Sequence, residues 1–497
     1  MPQANLANFD PIWGTQYVVR NAAALVWDTL YGLDATLQPQ RQMVESEEVS
    51  DDGLVWTFRL RPGLKFHDGE PVLSKDVVAS LTRWSARDPM GLMLRAIQNE
   101  LTAVDDRTFK WALKAPYPKM LLALGKNSTP CAFIMPERLA QTDPFKQIPE
   151  YIGSGPMKFA KSEWVPGAKA VFEKFADYTP RQEKASWLAG GKQMLVDRIE
   201  WVVIPDPATA AAALQNGEVD WWESPITDLV PSLKKNRNIN VDIADPLGNI
   251  GSFRMNHLHP PFNDVKVRRA VLTALSQEDY MRALVGDDTA LWKPLPGFFT
   301  PDTPLYTEEG GEILKGKRDL AMAKKLLAES GYSGPAGHLR RGAGPTDHQG
   351  AGRCHRRSVE ADGHECRLRR DRLGHGRFPP RPENAAGPGR LGDVSHLARR
   401  RGLRQSGRLQ RRSWHWRQGV VWLAHERRPW KRKSRPGSKR RISMRRRLRS
   451  KRLNKAALED VVYAPTGFFL SYTAWRKNVS GIAKGPLPFF WGVSKTA

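Results

Sequence analysis

The sequence predicts an α/β protein, because strand-like alternation and helix-like periodicity take turns along one chain. Val55-Trp56-Thr57-Phe58-Arg59-Leu60 alternates as a half-buried strand does, and Asp51-Asp52-Gly53 supplies the tight turn before it. Ser74-Lys75-Asp76-Val77-Val78-Ala79-Ser80-Leu81 opens on a Ser cap and continues at helical spacing. Asn263-Asp264 caps a longer helix in which Val267, Val271 and Leu275, with Ala270 and Ala274, form one apolar stripe. A further amphipathic helix carries Leu320, Ala323, Leu326 and Leu327 and stops at Gly331.

Charge divides the chain into two kinds of sequence. The net charge of +26 would suggest a nucleic acid or an anionic membrane surface as partner. Yet residues 338–452 hold 35 Lys+Arg against 8 Asp+Glu, so the rest carries 43 basic and 44 acidic residues and is nearly neutral. From His338 to Trp430 there is no Lys, Ile, Tyr or Met, while Arg, Gly, Pro and His abound without any apolar period. A normal pattern returns after Leu453. Two explanations compete. One is a disordered basic arm, since high charge with few apolar residues keeps a chain unfolded. The other, which the sequence favours, is a compensated pair of frameshifts: GC-rich DNA in the wrong frame yields this composition, and the block interrupts what reads as one domain. Residues 338–452 are therefore expected to be disordered, because they offer no apolar stripe at period 2 or 3.6 from which to build a core.

The remaining sequence is sparing with chemistry. Cys131 stands alone outside the block, with Cys354 and Cys366 inside it, so no disulfide framework follows. Only His67, His257 and His259 of eleven histidines lie outside the block, and no Ser–His–Asp arrangement stands out. Gly387-Pro388-Gly389-Arg390-Leu391-Gly392 fits a dinucleotide-binding pattern formally, but no strand precedes it and Pro388 disrupts the turn. Cys354-His355 and His364-Glu365-Cys366 imitate metal ligands without a C-x-x-C pair or an apolar frame. No catalytic residue, metal or cofactor is expected. No apolar run reaches the roughly 18–20 residues of a membrane span. Met1–Leu6 has neither a basic nor an apolar leader region, so the chain as written is expected to carry no signal peptide.

Five motifs in register carry a resemblance. Ser50–Pro71, containing Trp56-Thr57-Phe58-Arg59-Leu60-Arg61-Pro62-Gly63 and Phe66-His67-Asp68-Gly69, runs on into Lys75-Asp76-Val77-Val78. It is followed by Gly153-Ser154-Gly155-Pro156-Met157, Leu214-Gln215-Asn216-Gly217-Glu218-Val219-Asp220, Pro260–Ala270 and Ala321–Tyr332. Together they resemble the ABC-transporter extracellular solute-binding proteins of family 5, the peptide/nickel/opine-binding type, over about residues 1–337 and 453–497. Gly53, Gly63 and Gly69 stand where turns need positive φ or close backbone approach. Asn8-Phe9-Asp10-Pro11 resembles the segment after the family's first strand, so that strand is expected to be missing and lobe I weakened.

The resemblance implies a two-lobed periplasmic-binding-protein fold of the class II type with an inserted small α/β domain. Residues 1–31, 151–245 and 476–497 would form lobe I, residues 32–150 the insert and residues 246–475 lobe II. It further implies a monomer in the periplasm or cell envelope. That monomer would capture a small-molecule or peptide solute by hinge closure and deliver it to ABC permease transmembrane subunits, with no bond broken. Aromatic walls with a few placed polar groups suit such a solute. Trp13, Tyr17, Ser154, Trp221, Trp222, Arg254, Asn256, Phe468 and Tyr472 are the candidate contacts. The alternative for the aromatic members is a place in the core. For the Gly153-Ser154-Gly155 turn it is a purely structural role. The rival function is nucleic-acid binding through the Arg-rich block 338–452, where stacking aromatics are sparse (Phe378, Trp414, Trp416, Trp422 and Trp430).

Overall fold

The computed structural model describes residues 1–332 and 450–496. Most of the Arg-rich block, with the disorder expected of it, and its Cys and His pairs fall outside those residues.

The predicted strand Val55–Leu60 sits inside a four-stranded antiparallel sheet ordered Val44–Val49, Val55–Leu60, Thr108–Leu113, Gln98–Ala103. Register places Trp56 opposite Trp111 and Phe58 opposite Phe109, so the buried faces of the two central strands coincide. The Phe58 and Phe109 rings stack 4.9 Å apart. Gly53, Gly63 and Gly69 all have positive φ, as their turns required.

Helix Ser74–Ser85 covers this sheet, with one correction to its start. Ser74 is not the cap: its hydroxyl donates to the Asp105 carbonyl, and the Asp76 carboxylate reaches back to accept from Leu73 N at 2.8 Å. Asp264 caps Val265–Ala274 as expected, accepting from Lys266 N, and Asp319 caps Leu320–Glu329, which ends at Gly331 in the left-handed region.

A second antiparallel sheet, Met157–Phe159, Lys169–Lys174 and Arg198–Val202, shares one apolar core with the first. Helix Tyr17–Val26 and residues 487–491 also enter that core. Three almost fully buried ion pairs stitch it together: Asp10–Arg83 at 2.7 Å, Asp28–Lys192 at 2.8 Å and Asp88–Lys126 at 2.8 Å. Met1 N donates to the Trp221 carbonyl and Glu223 N donates to Met1 O.

Besides two short two-stranded ladders, Tyr31–Leu33 with Pro39–Arg41 and Val479–Ser480 with Ser494–Lys495, the described residues hold two further three-stranded sheets. In one, Tyr472–Arg476 lies between Trp221–Trp222 and Ile239–Ile243; in the other, Ala464–Phe469 lies between Asn249–Phe253 and Trp292–Lys293. The second packs on a separate core of Leu272, Tyr280, Met281, Trp292, Phe298, Leu458 and Tyr463. A helix over 450–460 feeds that core, so residues 450–452 are ordered helix and not part of the expected disordered block. The helix is fixed by Asn454, whose amide group accepts from Phe298 N and donates to the Pro296 and Glu309 carbonyls. Lys451 pairs with Glu309.

Candidate functional site

The two three-stranded sheets meet where the chain passes between them twice, through residues 244–248 and 470–471. The crossings touch: Ala244 N donates to the Ser471 carbonyl at 2.9 Å, and Gly485 N donates to Ala244 O. Two short segments joining two packed bodies can absorb a rotation between them, which is the geometry of a hinge. Sheet partners also set where the second crossing falls. Residues 472–476 pair with 221–222 and 239–243, so they belong to that sheet and not to the sheet of 464–469.

Strand pairing brings part of the expected aromatic group together. Trp221 lies opposite Trp475, and its indole Nε1 donates to Thr473 Oγ1 at 2.7 Å while its ring meets Phe490 at 5.1 Å. Tyr472 ends the same central strand, with the Lys234 ammonium 4.7 Å over its ring. Trp222 faces the other way. It is buried with Ala210, Leu214, Leu233, Ile239 and Ala474, because strand alternation gives Trp221 and Trp222 opposite faces. Phe468 is also buried, packed against Gly248 of the first crossing.

The other candidates are placed elsewhere. Trp13 donates from Nε1 to the Phe145 carbonyl, and its own carbonyl accepts from Arg87. Tyr17 is 57% exposed at the start of its helix, with the Arg20 guanidinium 4.7 Å over its ring. Arg254 and Asn256 are exposed in the loop after Asn249–Phe253; Arg254 lies 5.8 Å over the Tyr463 ring, and Asn256 Oδ1 accepts from Leu258 N. Ser154 is buried in its turn, and its hydroxyl has no hydrogen-bond partner among the described residues.

Sequence reasoning missed a polar cluster beside Tyr17. Arg20 is buried, and among the described residues its guanidinium donates to neutral acceptors: Asn21 Oδ1, the Asn127 carbonyl and the Pro486 carbonyl. Asn21 in turn donates to Glu223 Oε1 at 3.0 Å. Burial lowers the Arg20 pKa, and burial likewise raises those of Glu223 and of Asp245, which lies in the first crossing. The cluster thus runs from helix Tyr17–Val26 to the hinge and to loop 484–487. The signal available was an Arg-Asn pair inside the otherwise apolar Tyr17–Val26 run.

Reactive chemistry is sparse. Cys131 is buried and burial raises its thiol pKa, which disfavours the nucleophilic thiolate. Among the described residues no group of three His, Cys, Asp or Glu could hold a metal ion, and no helix is long and apolar enough to cross a membrane.

Residues 38–353 match the bacterial extracellular solute-binding proteins, family 5 Middle. A probable peptide ABC transporter periplasmic-binding protein of Sinorhizobium fredii (strain NBRC 101917 / NGR234) is 38% identical over 336 residues, 67% of this chain and 62% of that protein. The glutathione-binding protein GsiB of Escherichia coli (strain K12) is 29% identical over 337 residues, 66% of this chain and 60% of that one. The chain therefore spans less than two thirds of the length of these relatives. Among solved structures, a dipeptide-binding protein from Pseudoalteromonas sp. SM9913 in complex with Met-Leu superposes with a TM-score of 0.68 at 17% identity, covering 99% of both chains. The architecture is the two-lobed type 2 periplasmic-binding-protein fold.

Proposed function

Because this chain belongs to the bacterial extracellular solute-binding proteins of family 5, we propose that it is the solute-capturing component of an ABC importer. The single observation that carries the proposal is the double crossing at 244–248 and 470–471, which joins two separately packed bodies. A solute held between them adds contacts only in the closed arrangement, so its binding energy shifts the population toward that state. The lobes divide at these crossings, with residues 472–496 rejoining residues 1–243. Trp221 and Tyr472 on the central strand, exposed Tyr17, Ser154, and Arg254 with Asn256 beyond the first crossing are the proposed contacts; Trp222 and Phe468 serve as packing.

The solute is a peptide or a similar amphipathic small molecule, the partner is the permease of the importer, and the working location is the periplasm. The relatives' names and the half-exposed aromatics support this choice. No enzymatic step belongs to the proposal. The nucleic-acid alternative rests on the Arg-rich block, nearly all of it outside the described residues, and nothing among the relatives favours it.

Calorimetry tests the proposal with short peptides, glutathione, opines and nickel chelates, on the chain as it stands and on one with alternative-frame residues restored across 338–452. The expected result is saturable one-to-one binding by the restored chain, with compaction in small-angle scattering. Turnover of any of these compounds, or binding without compaction, overturns it.

A further inference from the structure

The turn at 152–155 is braced on every side but one. Trp27 Nε1 donates to the Ile152 carbonyl at 2.9 Å, and Gly155 N donates to the Val26 carbonyl at 2.9 Å. A Cβ on Gly153 would lie 2.0 Å from the Val26 oxygen and one on Gly155 would lie 2.6 Å from the Leu25 oxygen, so the turn is pressed onto the end of helix Tyr17–Val26. The opposite side is held by a single residue. His67 N donates to the Gly153 carbonyl at 2.9 Å, Gly153 N donates to His67 Nδ1 at 3.3 Å, and His67 Nε2 lies 3.0 Å from the Gly155 carbonyl.

These contacts decide the protonation state. A ring nitrogen that accepts from Gly153 carries no proton, and one facing a carbonyl must carry one, so the imidazole is the neutral Nε2–H tautomer. A second proton on Nδ1 would point at the Gly153 amide and break the clamp. The Phe175 ring packs edge-on against the imidazole at 5.0 Å and covers part of it. The charged neighbours are Lys158, whose ammonium sits 4.7 Å over the Phe175 ring, and Asp68, which is paired with Arg138 at 3.0 Å.

We propose that His67 is a positioning residue which holds the Gly153–Ser154–Gly155 turn through both ring nitrogens, so that the buried, uncommitted Ser154 hydroxyl is offered to the solute only while the imidazole is neutral. The role of the hydroxyl rests on the solute-binding proposal above; the clamp does not. Burial is the main cause that holds the imidazole pKa down to about 4, with Lys158 adding to it and Asp68 and the Gly155 carbonyl opposing. The clamp therefore stays closed at neutral pH and opens in acid.

The test uses the full chain with labelled histidine, and His67→Asn and His67→Ala as variants. Long-range nitrogen–proton correlation should show an Nε2–H imidazole that resists protonation until about pH 4. Exchange of the Gly153 amide should quicken by about tenfold in His67→Ala, the loss of one hydrogen bond. His67→Asn, whose side-chain oxygen can still accept near the Nδ1 position, should restore much of the protection. Amides at Phe58 and Phe109 report whether a variant is folded; if His67→Ala is not, the tautomer and acid titration of the unaltered chain decide. An Nδ1–H or charged imidazole at neutral pH, or unchanged Gly153 exchange in a folded His67→Ala, overturns the clamp. Ser154→Ala should weaken, by about tenfold, binding of whichever peptide or glutathione the chain takes up, and unchanged affinity overturns the hydroxyl's role. Absence of any binding removes the receptor proposal and the hydroxyl's role with it, while the tautomer result stands or falls alone.

Discussion

Replacing Asp10 should loosen the attachment of the N-terminal segment to the sheet of residues 44–113 more than any other single charge removal there. The carboxylate is fully buried and accepts five hydrogen bonds: from Ile12 N, Trp13 N and Ile148 N, and from both terminal nitrogens of Arg83. Arg83 has two further acceptors, the Thr142 and Lys146 carbonyls. Removing one partner of a buried pair leaves an uncompensated charge, at about 3–5 kcal/mol. Asp10→Ala does that and also strips three backbone donors of their acceptor, each at about 1–3 kcal/mol. Arg83→Met is the milder change, because Asp10 then keeps its three amide donors. The expected order of loss is therefore Asp10→Ala, then Asp10→Asn, then Arg83→Met. Asp10→Asn/Arg83→Met should cost less than the two single changes summed, by at least about 1 kcal/mol, because residues in one network couple. Urea unfolding followed at Trp84 and Trp111, with amide exchange at Ile12 and Ile148 as a local probe, measures each variant. A loss under about 1 kcal/mol for Asp10→Asn, or strict additivity in the double variant, would refute the reasoning.

Other outcomes follow from single contacts. His67 has its folded pKa held at about 4, below its ordinary value near 6.5, so the unfolded chain takes up a proton that the folded chain refuses. Its contribution is intact above pH 6.5, is lost as pH falls from about 6.5 to 4, and totals about 3 kcal/mol; His67→Gln should flatten that part of the stability–pH curve. Gly153→Ala should cost about 3 kcal/mol through its clash with Val26, whereas Gly69→Ala, which meets open space at φ +93, should cost only about 1 kcal/mol of backbone strain; equal losses in urea unfolding would contradict the packing around the turn. Trp221→Phe should lose about 1 kcal/mol with the bond to Thr473. Finally, a shifted frame of the coding DNA across residues 338–452 should encode Lys-containing α/β sequence without stops; stop codons in both other frames would exclude a frame error.

Short-range rules were enough to read much of this protein from its residues in order. Alternation placed the strand Val55–Leu60, the Asn263-Asp264 cap placed the start of Val265–Ala274, the apolar period placed the helix Leu320–Glu329 with its stop at Gly331, and turn glycines took positive φ, since each depends on neighbours within a few positions. Motif spacing carried the family. What lay beyond the sequence depends on contacts between residues far apart in it. Ser74 read as a cap until the carbonyl of Asp105, thirty-one positions on, engaged its hydroxyl. Trp221 and Trp222 are identical neighbours, and only pairing with 472–476 assigns one to packing and leaves the other half-exposed. Asp10 was legible as part of a motif but not as half of a buried pair with Arg83, seventy-three positions away. His67 gave no sign of its clamp, because the carbonyls and amide that fix its proton belong to a turn eighty-six positions on. Composition and periodicity determine which elements form. Which side chains are buried together, and therefore which charges and hydrogen bonds count, is decided only when the tertiary structure excludes water from them.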